Sequence, residues 1–159
     1  LGIKFLEKSI NNNNTDSLVY YSRSLIEGKI ISKDINTAKK YLEKRKNNEN
    51  DSIWFLYGKI KLHEKQYKKA IKYIKKSVKK GNKEAMFEYG KLLFCGKGCI
   101  ENNEKAMKYM HLSMVDGLEK SRRFILIYSQ MCEKKCFICL SKKNQLFFIT
   151  QTMKNSFLK

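Results

Sequence analysis

The stretch "AMFEYGKLLFCGKGCIENNEKAMKYM", residues 85–110, shows the spacing that decides the fold. Near its end a small residue is followed three and four places later by two large ones: Ala106, Tyr109 and Met110. The same spacing occurs twice earlier in the chain, as Ala70, Tyr73 and Ile74 and as Ala38, Tyr41 and Leu42. Residues three or four apart lie on one face of an α-helix, so each triplet predicts a helix face that packs against a neighbour.

Alignment on these alanines predicts three repeat units, 16–50, 51–82 and 83–118. Positions 51, 83 and 119 each follow an alanine by 13 residues, whereas the distance from a unit start to its alanine varies. The constant part is interpreted as a second helix whose length sets the stacking of units. The variable part is interpreted as the loop inside a unit, where insertions are tolerated.

The first helix of each unit is predicted in "DSLVYYSRSLIE", "DSIWFLYGKIKL" and "KEAMFEYGKLLF". Apolar residues fall mainly at the third, fourth, seventh and tenth places, which is helical spacing rather than strand alternation. The alanine allows two helices to cross closely, and the tyrosine fills the gap beside the crossing. We therefore predict an all-α, right-handed α-solenoid of stacked antiparallel helix pairs. The alternative is a set of ordinary amphipathic helices without true repetition.

The motif residues resemble the Sel1-like repeat, a relative of the tetratricopeptide repeat. In the third unit they are Ala85, Tyr89, Gly90, Gly96, Ala106, Tyr109 and Gly117, and in the second Tyr57, Gly58, Ala70, Tyr73 and Gly81. The first unit keeps Ala38 and Tyr41 but has Arg23 for the crossing glycine, Arg45 for a small residue and Glu49 for the closing glycine. We expect this unit to pack more loosely.

Both ends of the chain depart from the repeat. Residues 1–15 are predicted to be the second helix of a partial repeat, and 119–159 a degenerate repeat followed by a capping helix over 142–157. A helix lying on a membrane surface is the alternative for that last segment, because it carries Lys142, Lys143 and Lys154. The chain begins at Leu1, so we expect a fragment of a longer protein, and the resemblance permits a preceding catalytic domain.

The resemblance also implies where a partner binds. In such solenoids the first helices line a concave face, and the matching places here are Ser17, Tyr20, Ser24, Ser52, Phe55, Lys59, Glu84, Phe87 and Lys91. The expected result is a row of exposed rings beside lysines, which suits a protein or peptide partner, including an acidic or phosphorylated one. The implied function is a non-catalytic adaptor or scaffold. The alternative is that the rings pack sideways against the next first helix.

The net charge of +19 fits nucleic acid, an anionic membrane or an acidic partner. Most of the cations are lysine, as expected from a bias toward A/T-rich codons. Nucleic-acid binding is the second functional hypothesis, but the scarcity of arginine and the unequal unit lengths count against it. A row at helical spacing, Lys65, Lys68, Lys72, Lys75, Lys79 and Lys83, is predicted to be a solvated outer face.

No residue pattern predicts an enzyme, a cofactor or a metal site. Cys132, Cys136 and Cys139 form a CxxxCxxC run without a fourth ligand at standard spacing, and Cys95 and Cys99 lie a unit away. His63 and His111 lack partners at triad spacing. Five cysteines without a signal peptide favour a reducing, cytoplasmic compartment. No apolar run approaches the ~20 residues of a membrane span. Exposed repeat edges are expected to permit self-association.

Overall fold

The computed structural model describes residues 2–45, 47 and 49–135, with side chains as far as residue 127. This part of the chain folds into helices, with no strand among the described residues. In order they are α1 (Gly2–Asn11), α2 (Thr15–Glu27), α3 (Ile35–Glu43), α4 (Asp51–His63), α5 (Tyr67–Lys79), α6 (Lys83–Phe94), α7 (Asn103–Val115) and α8 (Glu119–Lys135).

The helices form a solenoid of antiparallel pairs. Helix α2 packs on α3, α4 on α5 and α6 on α7, and each second helix also packs on the first helix of the next unit. Helix α1 packs on α2, and α8 packs on α7. The predicted fold class is therefore confirmed. No described helix is long and apolar enough to cross a membrane.

Asparagine starts every complete first helix. The side chains of Asn14, Asn50 and Asn82 accept hydrogen bonds from the backbone N–H groups of Ser17, Ile53 and Ala85 at 2.8, 3.0 and 2.9 Å. Each such cap contributes about 1 kcal/mol to helix stability. The three caps therefore define a common register for α2, α4 and α6.

The closest approach between paired helices lies where a glycine faces an alanine. Ala70 and Ala106 are fully buried, as is Ala38. A Cβ atom on Gly58 would lie 2.7 Å from Cγ1 of Ile74, and one on Gly90 would lie 3.0 Å from the carbonyl oxygen of Ala106. The small residues therefore set the helix separation, as predicted from their spacing.

A tyrosine pair locks each crossing. Tyr57 and Tyr73 meet edge to face with ring centroids 4.7 Å apart. The corresponding distances are 5.0 Å for Tyr89 and Tyr109 and 5.7 Å for Tyr21 and Tyr41. Such pairs add about 0.5–1.5 kcal/mol beyond the area they bury. The repeated contact explains why a tyrosine follows each alanine by three residues.

These contacts correct the register of α2 by one residue. Tyr21 pairs with Tyr41 as Tyr57 pairs with Tyr73, and both tyrosines lie seven residues after a capping asparagine. The residue at the first crossing is therefore Ser22, which is fully buried, and not Arg23. A serine at the crossing still keeps the helices close, and Arg23 moves to the place of Lys59 and Lys91.

Arg45 has a role of its own in the first unit. Ser77 and Ser113 donate hydrogen bonds to the carbonyl oxygens of Asp51 and Lys83 at 2.8 and 2.6 Å. At the same place the Arg45 guanidinium donates instead to the carbonyl oxygens of Ile10 and Asn13, at 3.0 and 3.1 Å. Arginine therefore ties α3 to the end of α1. Helix α3 has only 9 residues, against 13 in α5 and α7, which agrees with a looser first unit.

At the other end Ser121 takes the alanine position of α8. It is fully buried, and its hydroxyl lies 2.9 Å from that of Ser113. Ile125 is also buried there, so α8 continues the stack as a degenerate first helix. The predicted capping helix over 142–157 and its membrane-surface alternative lie outside the described residues.

We expect Gly90→Ala to destabilise the fold by about 1–2 kcal/mol. Overpacking against a backbone carbonyl costs up to about 3 kcal/mol, whereas the higher helix propensity of alanine returns about 1 kcal/mol. Gly2→Ala in α1 is the control, because a Cβ there meets no atom within 4 Å. Urea unfolding measures both variants, and equal stability of the two would contradict a tight crossing.

Ser22→Ala tests the corrected register. The Ser22 hydroxyl is buried and has no hydrogen-bond partner, so its removal relieves an uncompensated desolvation. We expect the variant to be as stable as the unsubstituted protein or more stable by up to about 1 kcal/mol. Thermal unfolding measures the difference, and a loss of more than about 1 kcal/mol would show that Ser22 makes a needed polar contact.

Candidate partner-binding site

The structure separates the residues that the sequence placed on the concave face. Tyr20 is exposed at 51%, but Phe55 and Phe87 are only 3% and 8% exposed. The expected row of exposed rings is therefore wrong at two of three places. Phe87 packs edge to face on Phe124 of α8 at 6.1 Å, as the alternative of sideways packing predicted.

The serines expected on this face do not project freely from it. Ser24 is buried, and its hydroxyl donates to the carbonyl oxygen of Tyr20 at 3.0 Å. Ser17 is half-buried, and its hydroxyl lies 2.8 Å from that of Ser9. Ser24 therefore bonds within α2, and Ser17 contacts α1.

The structure instead brings together a cation column, defined as Arg23, Lys59 and Lys91. Each lies nine residues after its capping asparagine, so the three occupy the same place in consecutive units. All three are half-buried. The sequence spacing alone did not place Arg23 in this column. Alignment of the first helices on their capping asparagines would have placed it there.

Two of these cations lie over the buried rings. The Lys59 ammonium is 5.7 Å from the centroid of Phe55, and that of Lys91 is 5.3 Å from the centroid of Phe87. Each ring lies one helical turn before its lysine. The quadrupole of the ring attracts the cation. Each buried ring therefore positions its lysine and is not itself accessible to a ligand.

Each cation of the column pairs with a carboxylate of the chain. Arg23 lies 2.7 Å from Glu84, Lys59 3.4 Å from Glu27 and Lys91 3.0 Å from Glu88. The Arg23–Glu84 pair joins α2 of the first unit to α6 of the third, across the α4 unit between them. Side chains of the first and third units thus bridge the side of the solenoid that carries the cation column.

Cations surround Glu27. Partial burial disfavours its charged form, but Lys59, Lys29 and Arg23 outweigh that effect and lower the pKa of its carboxyl group. Glu27 is therefore ionised at neutral pH and partly offsets the positive charge of these cations. Its contribution to stability is present above its unfolded pKa and is lost as the pH falls through the lowered folded value.

Glu84 is incompletely satisfied. One carboxylate oxygen accepts from Arg23 at 2.7 Å, but the other is buried and has no hydrogen-bond donor. Burial of a carboxylate oxygen without a protein donor lowers the net stabilisation that the Arg23–Glu84 pair provides.

Other charged contacts join units at a distance from the cation column. Tyr57 donates to Glu43 of the preceding unit at 3.0 Å, and Tyr21 donates to Glu7 of α1 at 3.2 Å. The same tyrosine–glutamate hydrogen bond, which we call the joint, therefore occurs at two successive places in the stack. Burial and the hydrogen bond to Glu43 raise the pKa of Tyr57 to about 12.

A separate cluster surrounds Glu64. Its carboxylate accepts hydrogen bonds from Lys39 and Lys61 at 2.6 and 2.8 Å, and these bonds lower the pKa of Glu64.

The cysteines and histidines form no metal cluster among the described residues. No three His, Cys, Asp or Glu side chains converge there. Cys95 is exposed and Cys99 half-buried, both as free thiols. His63 is exposed at the end of α4, and His111 is half-buried in α7. The side chains of the CxxxCxxC run lie outside the described residues.

A family model described as the Sel1 repeat matches residues 16–44, 52–82 and 83–113, more than half of the chain. The chain belongs to the Sel1 repeat family. Sel1 repeats are generally protein–protein interaction modules and are typically non-catalytic scaffolds. The three matches fall on the three helix pairs α2–α3, α4–α5 and α6–α7.

Two solved structures share this architecture. One is a protective antigen present in uropathogenic Escherichia coli strains and displaying an SLR fold; it is 25% identical, with a TM-score of 0.66 over 79% of this chain. The other is a Sel1 repeat protein from Oxalobacter formigenes, 19% identical, with a TM-score of 0.63 over 76% of this chain. This chain spans 28% and 51% of their respective lengths. A search of curated proteins found no match.

Tyr57→Phe tests the joint between units. We expect a loss of about 1 kcal/mol at neutral pH, because the hydrogen bond to Glu43 is removed. A raised folded pKa means that the contribution is complete below the usual tyrosine value of 10.0 and disappears as the pH rises through about 12. The stability difference between the two proteins, measured by urea unfolding, should therefore shrink over this range. A difference independent of pH would contradict the assignment.

Proposed function

We propose that the chain is a non-catalytic adaptor or scaffold that binds an acidic protein segment along its concave face. The observation that supports this is the cation column, with one positive charge at the same place in each of three units. Arginine and lysine at a repeated place recognise carboxylate or phosphate groups. The buried rings below two of the cations favour a fixed direction for them.

The spacing of the column favours an extended ligand. Packed neighbouring helices lie about 8–10 Å apart. Three residues of a polyproline II segment rise about 9 Å and return the side chain to the same face. A partner segment with an acidic or phosphorylated residue at every third position therefore matches the column one charge per unit.

Binding proceeds by exchange of acidic groups. The carboxylates of Glu27, Glu84 and Glu88 occupy the cations when the face is empty, and carboxylates of the partner replace them. Partly exposed ion pairs contribute only about 0–1 kcal/mol each, so little is lost when they open.

Tyr20 supplies an apolar anchor on this side of α2. Its ring is 51% exposed and lies three residues before Arg23, hence on the same face of the helix. Exposed tyrosines often dominate binding energy, because they offer a large, rigid contact area. An apolar residue of the partner beside its first acidic group fits this arrangement.

The decisive variant replaces Arg23, Lys59 and Lys91 by Gln. The probe is a labelled peptide with Glu at every third residue, and fluorescence anisotropy measures its affinity. We expect the variant to bind at least tenfold more weakly, because each charge-assisted hydrogen bond contributes about 1.5–3 kcal/mol. Affinity capture followed by mass spectrometry then identifies natural partners that show the same loss.

The matched control replaces Lys33, Lys97 and Lys105, three exposed lysines outside the column, by Gln. It lowers the net charge equally and should leave peptide affinity nearly unchanged. Equal weakening of peptide binding in both variants would contradict the proposed site, because net charge alone would then explain the affinity. Substitution of Phe55 or Phe87 is not informative, because removal of a buried ring costs about 3–5 kcal/mol of stability.

A further inference from the structure

A second charged surface lies on α5, away from the cation column. The stretch from Lys65 to Lys83 contains nine lysines and no acidic residue. Every exposed side chain of α5 is a lysine: Lys68, Lys69, Lys72, Lys75, Lys76 and Lys79. The prediction that the lysine row is solvent-exposed is therefore confirmed, and we call these six residues the lysine face.

The positive charge of the lysine face is largely uncompensated. Lys75 and Lys76 lie over the rings of Tyr89 and Trp54, at 5.4 and 5.3 Å, and such contacts leave the charge in place. Beyond the face, Lys80 pairs with Glu49 at 3.4 Å. No ion pair to a carboxylate is found for the six lysines within the described residues.

The neighbouring second helices extend this surface. Lys40, Lys72 and Lys108 each lie six residues after the cap of their helix and are all exposed. The second helices therefore carry a lysine at the same place in every unit. In related solenoids the first helices line the concave side, so we expect the second helices to form the outer, convex layer.

Two exposed apolar side chains take matching places on α7. Leu112 and Val115 of α7 occupy the places that Lys76 and Lys79 occupy in α5, and they are 41% and 67% exposed. Lysines around exposed aliphatic side chains are the composition that binds the interface of a bilayer, where the cations meet headgroups and the apolar groups enter the acyl boundary.

We infer that the lysine face, with Leu112 and Val115, docks on a bilayer surface rich in anionic lipid headgroups. Lysines bind such surfaces as point charges, without the fork geometry that arginine gives to phosphate recognition. A convex surface meets few phosphates of a nucleic-acid duplex, which is convex too. A bilayer can place a mobile anionic headgroup at every lysine, and the two aliphatic side chains have no role against phosphates.

The test is co-sedimentation of the full chain with vesicles in which about one third of the lipid is phosphatidylserine and the rest phosphatidylcholine, in about 0.15 M salt. We expect binding to these vesicles and none to pure phosphatidylcholine. Replacement of Lys68, Lys72 and Lys79 by Gln should lower the partition coefficient roughly 100-fold. Replacement of Leu112 and Val115 by Ser should lower it about tenfold.

The control replaces Lys33, Lys97 and Lys120, which lie outside the second helices, by Gln. It removes the same charge, and we expect only a small loss of partition. Absence of vesicle binding by the unsubstituted chain, or an equal loss in both lysine variants, would overturn the inference. Circular dichroism of each variant verifies the fold.

Binding of the same proteins to labelled duplex RNA and DNA is measured in parallel at the same salt concentration. Tighter binding to either than to vesicles, lost on substitution of the lysine face and unaffected by the Leu112 and Val115 changes, would identify a nucleic-acid surface and reject the membrane. The concave face plays no part in this assay, so its outcome is separate from that of the peptide experiment.

Discussion

Close contact between the two helices of a unit is the constraint on which the rest of the structure depends. A Cβ atom on Gly58 would clash with the side chain of Ile74, and one on Gly90 with the side chain of Met110 and the carbonyl oxygen of Ala106. The facing alanines are fully buried. This proximity brings the tyrosines of paired helices edge to face and fixes the rotation of each first helix. Because the rotation repeats, Arg23, Lys59 and Lys91 fall on one side of the solenoid.

The architecture could be predicted because its signals are local and repeated. Alanine, tyrosine and glycine recur at spacings that only a helix pair requires, so the units stood out without structural information. The boundary of α2 was harder to place: with Asp16 aligned to Asp51, the crossing position fell on Arg23. The structure places the buried Ser22 at the crossing. A serine at this place gives a weaker sequence signal than a glycine.

The candidate site was only partly predictable for a different reason. Spacing tells which side of a helix a residue faces, but not how deeply its neighbours cover it. Lys59 and Lys91 were assigned to the concave side, whereas the burial of Phe55 and Phe87 depends on side chains from other units. The Arg23–Glu84 pair joins positions 61 residues apart, a distance that no local pattern reveals.

That ion pair changes how the array should be regarded as a mechanical object. Solenoids usually behave as one-dimensional chains, in which each unit is coupled only to its nearest neighbours. Arg23 and Glu84 join the first and third units directly through one partly exposed ion pair, which contributes about 0–1 kcal/mol. The array thus acquires a weak second-neighbour coupling, and occupation of Arg23 by another anion would remove it.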